Sequence, residues 1–303
     1  MNKVVLVGCG NVGMAYAYAL VNQKVYVDEL VLIDINLEKC EGEAMDLNHC
    51  VAYSPSKINV RVGEYLDCRD AKVVVIAAGA NQAPGESRMD LIDKNSKIFS
   101  SIVSSIMQSG FNGIIVVATN PLDVMTYLTL KYSGLPANRV IGSGTTLDTS
   151  RLRYILSKKT GVNAKNIEAY VIGEHGDSEF IPWSNVNIAY KKVTDIFSLD
   201  ELKEIEKEVR ESAYEIINKK GATAYGIGMC LVRITNAILE DKNIVLPVSS
   251  WDSENNICIS TPAIVGSNGV KEKIFIPLNQ EETNEIINSI KTIKKAIDSL
   301  EVI

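Results

Sequence analysis

Two histidines occur in the 303-residue sequence, His49 and His175. His175 stands in Gly173-Glu174-His175-Gly176-Asp177, where flanking glycines let the backbone and a small molecule approach closely. An imidazole can accept and donate a proton near neutral pH, as a reversible reaction at a hydroxyl or carbonyl group requires. Taken alone, His175 reads equally well as a turn histidine. His49, in Asp46-Leu47-Asn48-His49-Cys50, falls at an expected helix end and reads as structural. Asp148 and Arg151 are three residues apart, which puts them on one helix face. Asp148 can orient an imidazole and stabilise its protonated form. Arg151 offers a planar fork that matches a carboxylate; the plainer reading of this couple is a surface ion pair worth little. Arg88 ends a Gly- and Pro-punctuated stretch that starts at Ala77, which reads as a mobile lid able to carry Arg88 into a site. Asn120, before Pro121, follows an apolar run and can donate an amide to a substrate. A base, a cation for a carboxylate, a donor that polarises a carbonyl and a lid that excludes water are the requirements of hydride transfer at a 2-hydroxy-acid carbon.

Such a reaction needs a hydride carrier. Gly8-Cys9-Gly10-Asn11-Val12-Gly13 is a GxGxxG placed after one apolar run and before a helical stretch. Its glycines allow a tight turn, close approach of a pyrophosphate and close packing of helix on strand, while the helix N-terminus supplies N–H groups and positive dipole to the phosphates. Asp34 ends the next apolar run, 21 residues after Gly13, where a carboxylate accepts hydrogen bonds from a ribose and repels the extra phosphate of NADP. Glycine-rich turns are common, and the alternative is a structural turn followed by a surface aspartate.

These residues must be held by a scaffold. Val4–Val7, Leu30–Ile33, Val73–Ile76, Ile114–Val117 and Val140-Ile141 are short continuous apolar runs separated by helical segments. Runs apolar on both faces predict a parallel sheet covered on both sides, a doubly wound nucleotide-binding domain. The second half predicts an α+β domain. It has a capping box at Ser198-Leu199-Asp200-Glu201 opening a long helix, a second helix near Ala224–Leu239, short strands at Ile244–Ser249, Ile257–Ile259 and near Lys273–Ile276, and a closing helix with Ile286, Ile290, Ile293, Ile297 and Leu300 on one face. The expected division is residues 1–142 for the dinucleotide and 143–303 for substrate and catalysis. With 31 basic against 37 acidic residues the net charge is −6, and no basic stripe suits a nucleic acid. No apolar window is long enough to span a membrane. No leader segment is expected ahead of the first strand, and the six scattered cysteines suit reduced thiols in a cytoplasm. The histidines and cysteines lack the spacing of a metal site, so no metal is expected.

Taken together, the stretches Gly8–Gly13, Ala78–Arg88, Asn120-Pro121, Val140–Arg151, Gly173–Glu179 and Gly221–Ile227 resemble the lactate/malate dehydrogenase family over nearly the whole chain. The resemblance implies NAD as cofactor. It implies His175 as proton donor and acceptor, Asp148 as its partner, Arg151 as the carboxylate-binding residue and Arg88 as the group that polarises the carbonyl. It also implies that Asn120 touches both substrate and nicotinamide, that Thr223 lines the substrate pocket and that Ile227 packs on the nicotinamide ring. Gly8, Gly10, Asn11, Val12, Gly13, Asp34, Gly79 and Ala80 complete the implied cofactor set.

Gln82 separates the branches of the family. Malate enzymes carry arginine at this loop position, and a neutral Gln leaves a second substrate carboxylate unpaired. Pyruvate and L-lactate are therefore the expected pair. Ala224, small where tyrosine is common, keeps larger 2-oxo acids open. Ala83 and Thr119 depart from the usual lysine and serine. The family implies a homotetramer. Some bacterial members are activated by fructose 1,6-bisphosphate through an arginine and a histidine. Arg153 matches the arginine, but Glu168 stands in the histidine's place and would repel phosphate, so no such activation is expected. The remaining alternatives are a malate or branched 2-hydroxy-acid dehydrogenase, and a non-catalytic NADH-binding protein on the same scaffold.

Overall fold

The computed structural model describes residues 1–80 and 88–300, with the backbone alone for residues 88–90. The first half alternates strand and helix: β1 (Lys3–Val7), α1 (Asn11–Val21), β2 (Glu29–Ile33), α2 (Leu37–Cys50), β3 (Asn59–Val62), β4 (Val73–Ile76), α3 (Arg88–Gln108), β5 (Ile114–Val117), α4 (Leu122–Ser133) and β6 (Val140–Gly142). These six strands are parallel and lie in the order β3-β2-β1-β4-β5-β6, so the chain reverses its winding direction between β1 and β4. In open α/β sheets the crevice beyond the strands' C-terminal ends at this reversal is where ligands bind.

The apolar runs are explained by the packing on the two faces. Val4, Leu6, Leu30, Leu32, Val73 and Val75 enter one core cluster. Their alternating neighbours Val5, Val7, Val31, Ile33, Val74 and Ile76 enter another. Successive strand residues point to opposite faces, so a strand covered on both must be apolar throughout.

The second half comprises α5 (Thr146–Thr160), β7 (Ile167–Glu168), β8 (Asn187–Ile188), β9 (Lys191–Lys192), α6 (Leu199–Lys220), α7 (Tyr225–Leu239), β10 (Ile244–Asp252), β11 (Ile257–Gly266), β12 (Gly269–Lys273) and α8 (Gln280–Asp298). The Ser198–Glu201 capping box forms as the sequence predicts. β10 and β11 are longer than their apolar stretches suggest, and the strand expected near Lys273–Ile276 falls earlier, at Gly269–Lys273, where it pairs with β11 after a tight turn. These late strands also join the first sheet: β10 pairs antiparallel with β6 through Ser249 and Gly142, giving nine strands in the order β12-β11-β10-β6-β5-β4-β1-β2-β3. Sequence periodicity misses this because β10–β12 cover the open edge of β6, which is a tertiary event. A third core cluster packs Leu152, Ile155 and Leu156 of α5 against Leu202, Ile205 and Val209 of α6. All six cysteines are free. No helix among the described residues is long and apolar enough to cross a membrane.

Candidate active site

The nucleotide crevice is shaped by close approach. A Cβ on Gly13 would stand 1.9 Å from the Gly8 carbonyl oxygen, and one on Gly8 would stand 2.4 Å from Ala78 N. A Cβ on Gly10 would meet nothing within 4 Å, so the loop opens there. Gly10 is the N-cap of α1 and has no side chain to cap it, so the first N–H groups of the helix face that opening. Asp34 is fixed by two backbone donors: Cys9 N at 2.7 Å to one carboxylate oxygen and Asn36 N at 3.0 Å to the other. Lys39 Nζ donates to the Cys9 carbonyl at 2.9 Å and ties the loop to α2. An open helix N-terminus beside an oriented carboxylate fits a dinucleotide whose second ribose is unphosphorylated. Val12 and Ile227 are partly buried and pack against the same core cluster, which brings α7 to this side.

Asn95 of α3, fully buried, joins two turns at the strand ends. Its side chain accepts from Ala80 N at 2.8 Å and donates to the Asn120 carbonyl at 2.9 Å. Gly79 and Ala80 are thereby held beside Asn120, whose bond to Pro121 is cis.

The candidate proton-handling group is assembled from two places, α5 and the loop that carries His175. Asp148 lies in the first turn of α5 and is 1% exposed. One of its oxygens is 2.6 Å from His175 Nδ1 and the other is 2.7 Å from Arg151 Nη1. Both distances are short, as charge-assisted hydrogen bonds are. Nδ1 donates to the carboxylate, which leaves Nε2 to exchange a proton. Burial pushes the imidazolium down, but the charge and hydrogen bond of Asp148 outweigh it and the pKa ends at about 9. Burial likewise pushes Asp148 up, and His175 and Arg151 outweigh it, holding the carboxyl below its ordinary value. Arg151 Nε is buried and finds no hydrogen-bond partner among the described residues, a donor left for an anion.

The loop carrying His175 is locked at both ends. Gly173 has φ +99° and exchanges backbone hydrogen bonds with Ser260 of β11 at 2.9 and 3.1 Å. Ile172 and Phe180 close the loop with bonds of 3.0 and 3.1 Å. His175 N donates to Asp123 at 2.8 Å, and the other oxygen of Asp123 accepts from Ser249 Oγ at 2.6 Å. Burial raises Asp123 to about 6 despite these donors.

The sequence reading gives neither Asp123 nor Glu179 a role. Asp123 had one signal, an acidic residue inside an otherwise apolar stretch of α4. Glu179 lies at the end of the His175 segment, and one ligand-type atom from each of Asp148, His175 and Glu179 falls within 4.8 Å of the others. That spacing could gather around a cation, but both Asp148 oxygens already serve His175 and Arg151.

Thr223 and Ala224 precede α7. Ala224, expected to leave room at the substrate end, lines a cavity of about 870 Å³ with Gly10, Asn11, Lys39 and Tyr225. Arg88 is the first residue of α3, and its side chain lies outside the described residues, as does all of Gln82. Arg153 donates to the Ala169 carbonyl at 3.0 Å and lies 4.9 Å from the Tyr170 ring centre, and Glu168 is exposed.

A doubly wound sheet, an uncapped glycine-rich loop and an Asp–His couple with an arginine define a nicotinamide-dependent dehydrogenase. The comparisons specify which one. The family model of the lactate/malate dehydrogenase NAD binding domain matches residues 2–142, and that of its alpha/beta C-terminal domain matches residues 145–302. The chain belongs to the lactate/malate dehydrogenase family, and its cofactor is NAD. An L-lactate dehydrogenase of Oceanobacillus iheyensis is 49% identical, with 97% of this chain and 94% of that protein covered. One from a Geobacillus species is 50% identical, covering 97% and 95%. The crystal structure of a minor L-lactate dehydrogenase from Enterococcus mundtii superposes with a TM-score of 0.96 at 43% identity, over 100% of this chain and 99% of that one.

Proposed function

We propose that the chain is an NAD-dependent L-lactate dehydrogenase that interconverts pyruvate and L-lactate. The observation that carries this reading is Asp148 joined at once to His175 at 2.6 Å and to Arg151 at 2.7 Å. One carboxylate thereby sets both the proton-exchanging group and the anion-binding group. The names of the relatives support the same reading.

In pyruvate reduction, Arg151 binds the carboxylate and Arg88 polarises the C2 carbonyl. Nε2 of protonated His175 gives its proton to the C2 oxygen. Asp148 stabilises the imidazolium beforehand and fixes its orientation. Asn120 and Thr223 hold the substrate against the nicotinamide, and Gln82 faces its methyl group. The bound cofactor supplies the hydride to C2 in this direction and accepts it in the other. Gly8, Gly10, Asn11, Val12 and Gly13 would hold its pyrophosphate, Asp34 its ribose, and Gly79, Ala80, Asn120 and Ile227 its nicotinamide half. Residues 1–142 carry the cofactor and 143–303 the catalytic group. The working form is a cytoplasmic homotetramer acting on a small-molecule substrate. Arg153 matches the activator-binding arginine, but Glu168 in the histidine's place repels phosphate and gives the enzyme no response to fructose 1,6-bisphosphate.

A panel of 2-oxo acids assayed with NADH and NADPH tests the reading. Pyruvate with NADH should give the highest kcat/KM, and Gln82→Arg should raise the oxaloacetate-to-pyruvate ratio. Oxaloacetate or 2-oxoisocaproate leading in the unmodified enzyme would overturn the assignment.

A further inference from the structure

Cys9 stands in the phosphate loop between Gly8 and Gly10, and Cys40 is the fourth residue of α2, six residues beyond Asp34. Both are buried, at 1% and 0% exposure. Their sulfurs are 3.5 Å apart and joined by a thiol–thiol hydrogen bond. The backbone around the pair is the cofactor site itself. Cys9 N donates to Asp34 at 2.7 Å, the Cys9 carbonyl accepts from Lys39 Nζ at 2.9 Å, and Cys40 N donates to the Asn36 carbonyl at 3.0 Å. A single buried thiol is a small apolar filler, but two in contact can become one bond. Closing the gap from 3.5 Å to the roughly 2.05 Å of a disulfide must pull the loop toward α2. The loop has little slack to absorb this. Gly8 is pressed on Ala78 and Gly13 on Gly8, so closely that a Cβ at either would meet backbone at 2.4 and 1.9 Å.

We propose that Cys9 and Cys40 form a redox site, oxidised to a disulfide by hydrogen peroxide while the cofactor is absent, and that the new bond weakens NAD binding. This rests on the cofactor loop and not on the choice of 2-oxo acid. One sulfur, as thiolate, attacks a peroxide oxygen. The S–O bond forms, the O–O bond breaks, and the departing hydroxide takes up the thiol proton as water. The second sulfur then attacks the sulfenic acid. The S–S bond forms, the S–O bond breaks, and the hydroxide leaves with the second thiol proton as another water. Two thiols and one peroxide give one disulfide and two waters, with two electrons passing from sulfur to oxygen. Burial pushes both thiols up, so neither ionises while the loop is closed. The reaction therefore waits on local opening of the loop. Gly10 is exposed and faces open space, so the loop is free to lift there. A bound dinucleotide covers that opening, and the cofactor thereby guards its own site.

The test exposes the full-length, cofactor-free enzyme to hydrogen peroxide in small molar excess. Its mass should fall by two hydrogens, and a digest made without reductant should yield the Cys9 and Cys40 peptides as one linked species. Fluorescence titration should then show the Kd for NADH raised by roughly tenfold, since the loop backbone sets the pyrophosphate contacts. Dithiothreitol should restore it. Saturating NADH during the exposure should slow the linkage by roughly tenfold or more. Cys40→Ala should keep its NADH affinity through the same exposure. Cys50→Ala, which removes the one partly exposed cysteine, should lose affinity as the unmodified enzyme does. Cys9 and Cys40 recovered as free thiols or as separate sulfinic acids would overturn the proposal, and so would a linked pair that binds NADH unchanged. Linkage as fast with NADH bound as without it would also sink it. The peptide map of the unmodified enzyme decides the linkage even where Cys40→Ala fails to fold. None of these readouts needs turnover, so an enzyme inactive on pyruvate would defeat the lactate reading and leave this one to be judged by itself.

Discussion

In the proposed mechanism His175 exchanges a proton while Asp148 joins it to Arg151, and the three should behave differently when altered. His175→Asn should still bind NADH, because no described contact joins His175 to the Gly8–Gly13 loop. Its kcat for pyruvate should fall by about 10³-fold or more, the scale of a lost acid–base group. Stopped-flow turnover beside NADH fluorescence titration checks both. The pH dependence has a definite sign. His175 titrates at about 9 in the folded protein against 6.5 in the unfolded chain. Its contribution to stability is therefore complete below 6.5 and is lost as pH rises through 9. Glu179, at about 9 folded against 4.5 unfolded, works in the same direction, since the folded state holds a proton that the unfolded chain releases above 4.5. Urea midpoints should thus fall from pH 6.5 to 9, less steeply in His175→Asn and in Glu179→Gln. The residues proposed to react could be picked out in the sequence because their types are rare or their spacing is tied to a helix. Two histidines leave little choice for a base, and a three-residue interval puts Asp148 and Arg151 on one face. Glu179 was not legible, because nothing local to it says that its carboxyl group lies against another.

At the scale of elements, the site depends on loops gripped from below. Asp123, in the first turn of α4, accepts from the backbone of the catalytic loop and from Ser249 of β10. Replacing it with alanine leaves His175 N, Ser249 Oγ and the more distant Ser260 Oγ without this acceptor, at about 1–3 kcal/mol. Asp123→Ala should lower the melting temperature and kcat together while leaving NADH affinity in place. An unaltered kcat with a lowered melting temperature would show that the loop holds His175 without it. The phosphate loop responds in the opposite way. A methyl group at Gly13 meets the Gly8 carbonyl oxygen at 1.9 Å, so Gly13→Ala must push α1 off β1. Its Kd for NADH should rise by roughly tenfold or more, since the loop backbone sets the pyrophosphate contacts. Fully apolar runs gave five of the six parallel strands, and the Ser198–Glu201 pattern gave α6; the edge strand β3, Asn59-Val60-Arg61-Val62, was missed because only its covered face is apolar. Asn95 was hidden, and Asp123 showed only as an acid in an apolar stretch, because each bridges segments far apart in sequence, a relation no local pattern encodes.

At the scale of the whole molecule, the boundary at residue 142 falls within a single sheet. Strands β10–β12 extend the sheet past β6, and Leu231, Val232, Ile234 and Ile238 of α7 share a core cluster with Val4, Leu6, Tyr16 and Leu20. Tyr16 Oη and Thr235 Oγ1, both buried, are 2.9 Å apart across the α1–α7 contact. Removing the second half would uncover this apolar face and the edge of β6, so residues 1–142 should not fold alone into an NADH-binding unit. The intact chain should unfold in one step. Its two tryptophans sit in different parts of the structure: Trp251 is on β10 in the large sheet, and Trp183 packs against the α5–α6 cluster. Single-tryptophan variants Trp183→Phe and Trp251→Phe should therefore give the same urea midpoint at equal protomer concentration. NADH at about 100 times its Kd should stabilise the fold by about 2.7 kcal/mol as reported by either probe. A Trp183 signal that ignored NADH while the Trp251 signal moved would mean that the two halves unfold separately, despite the core they share.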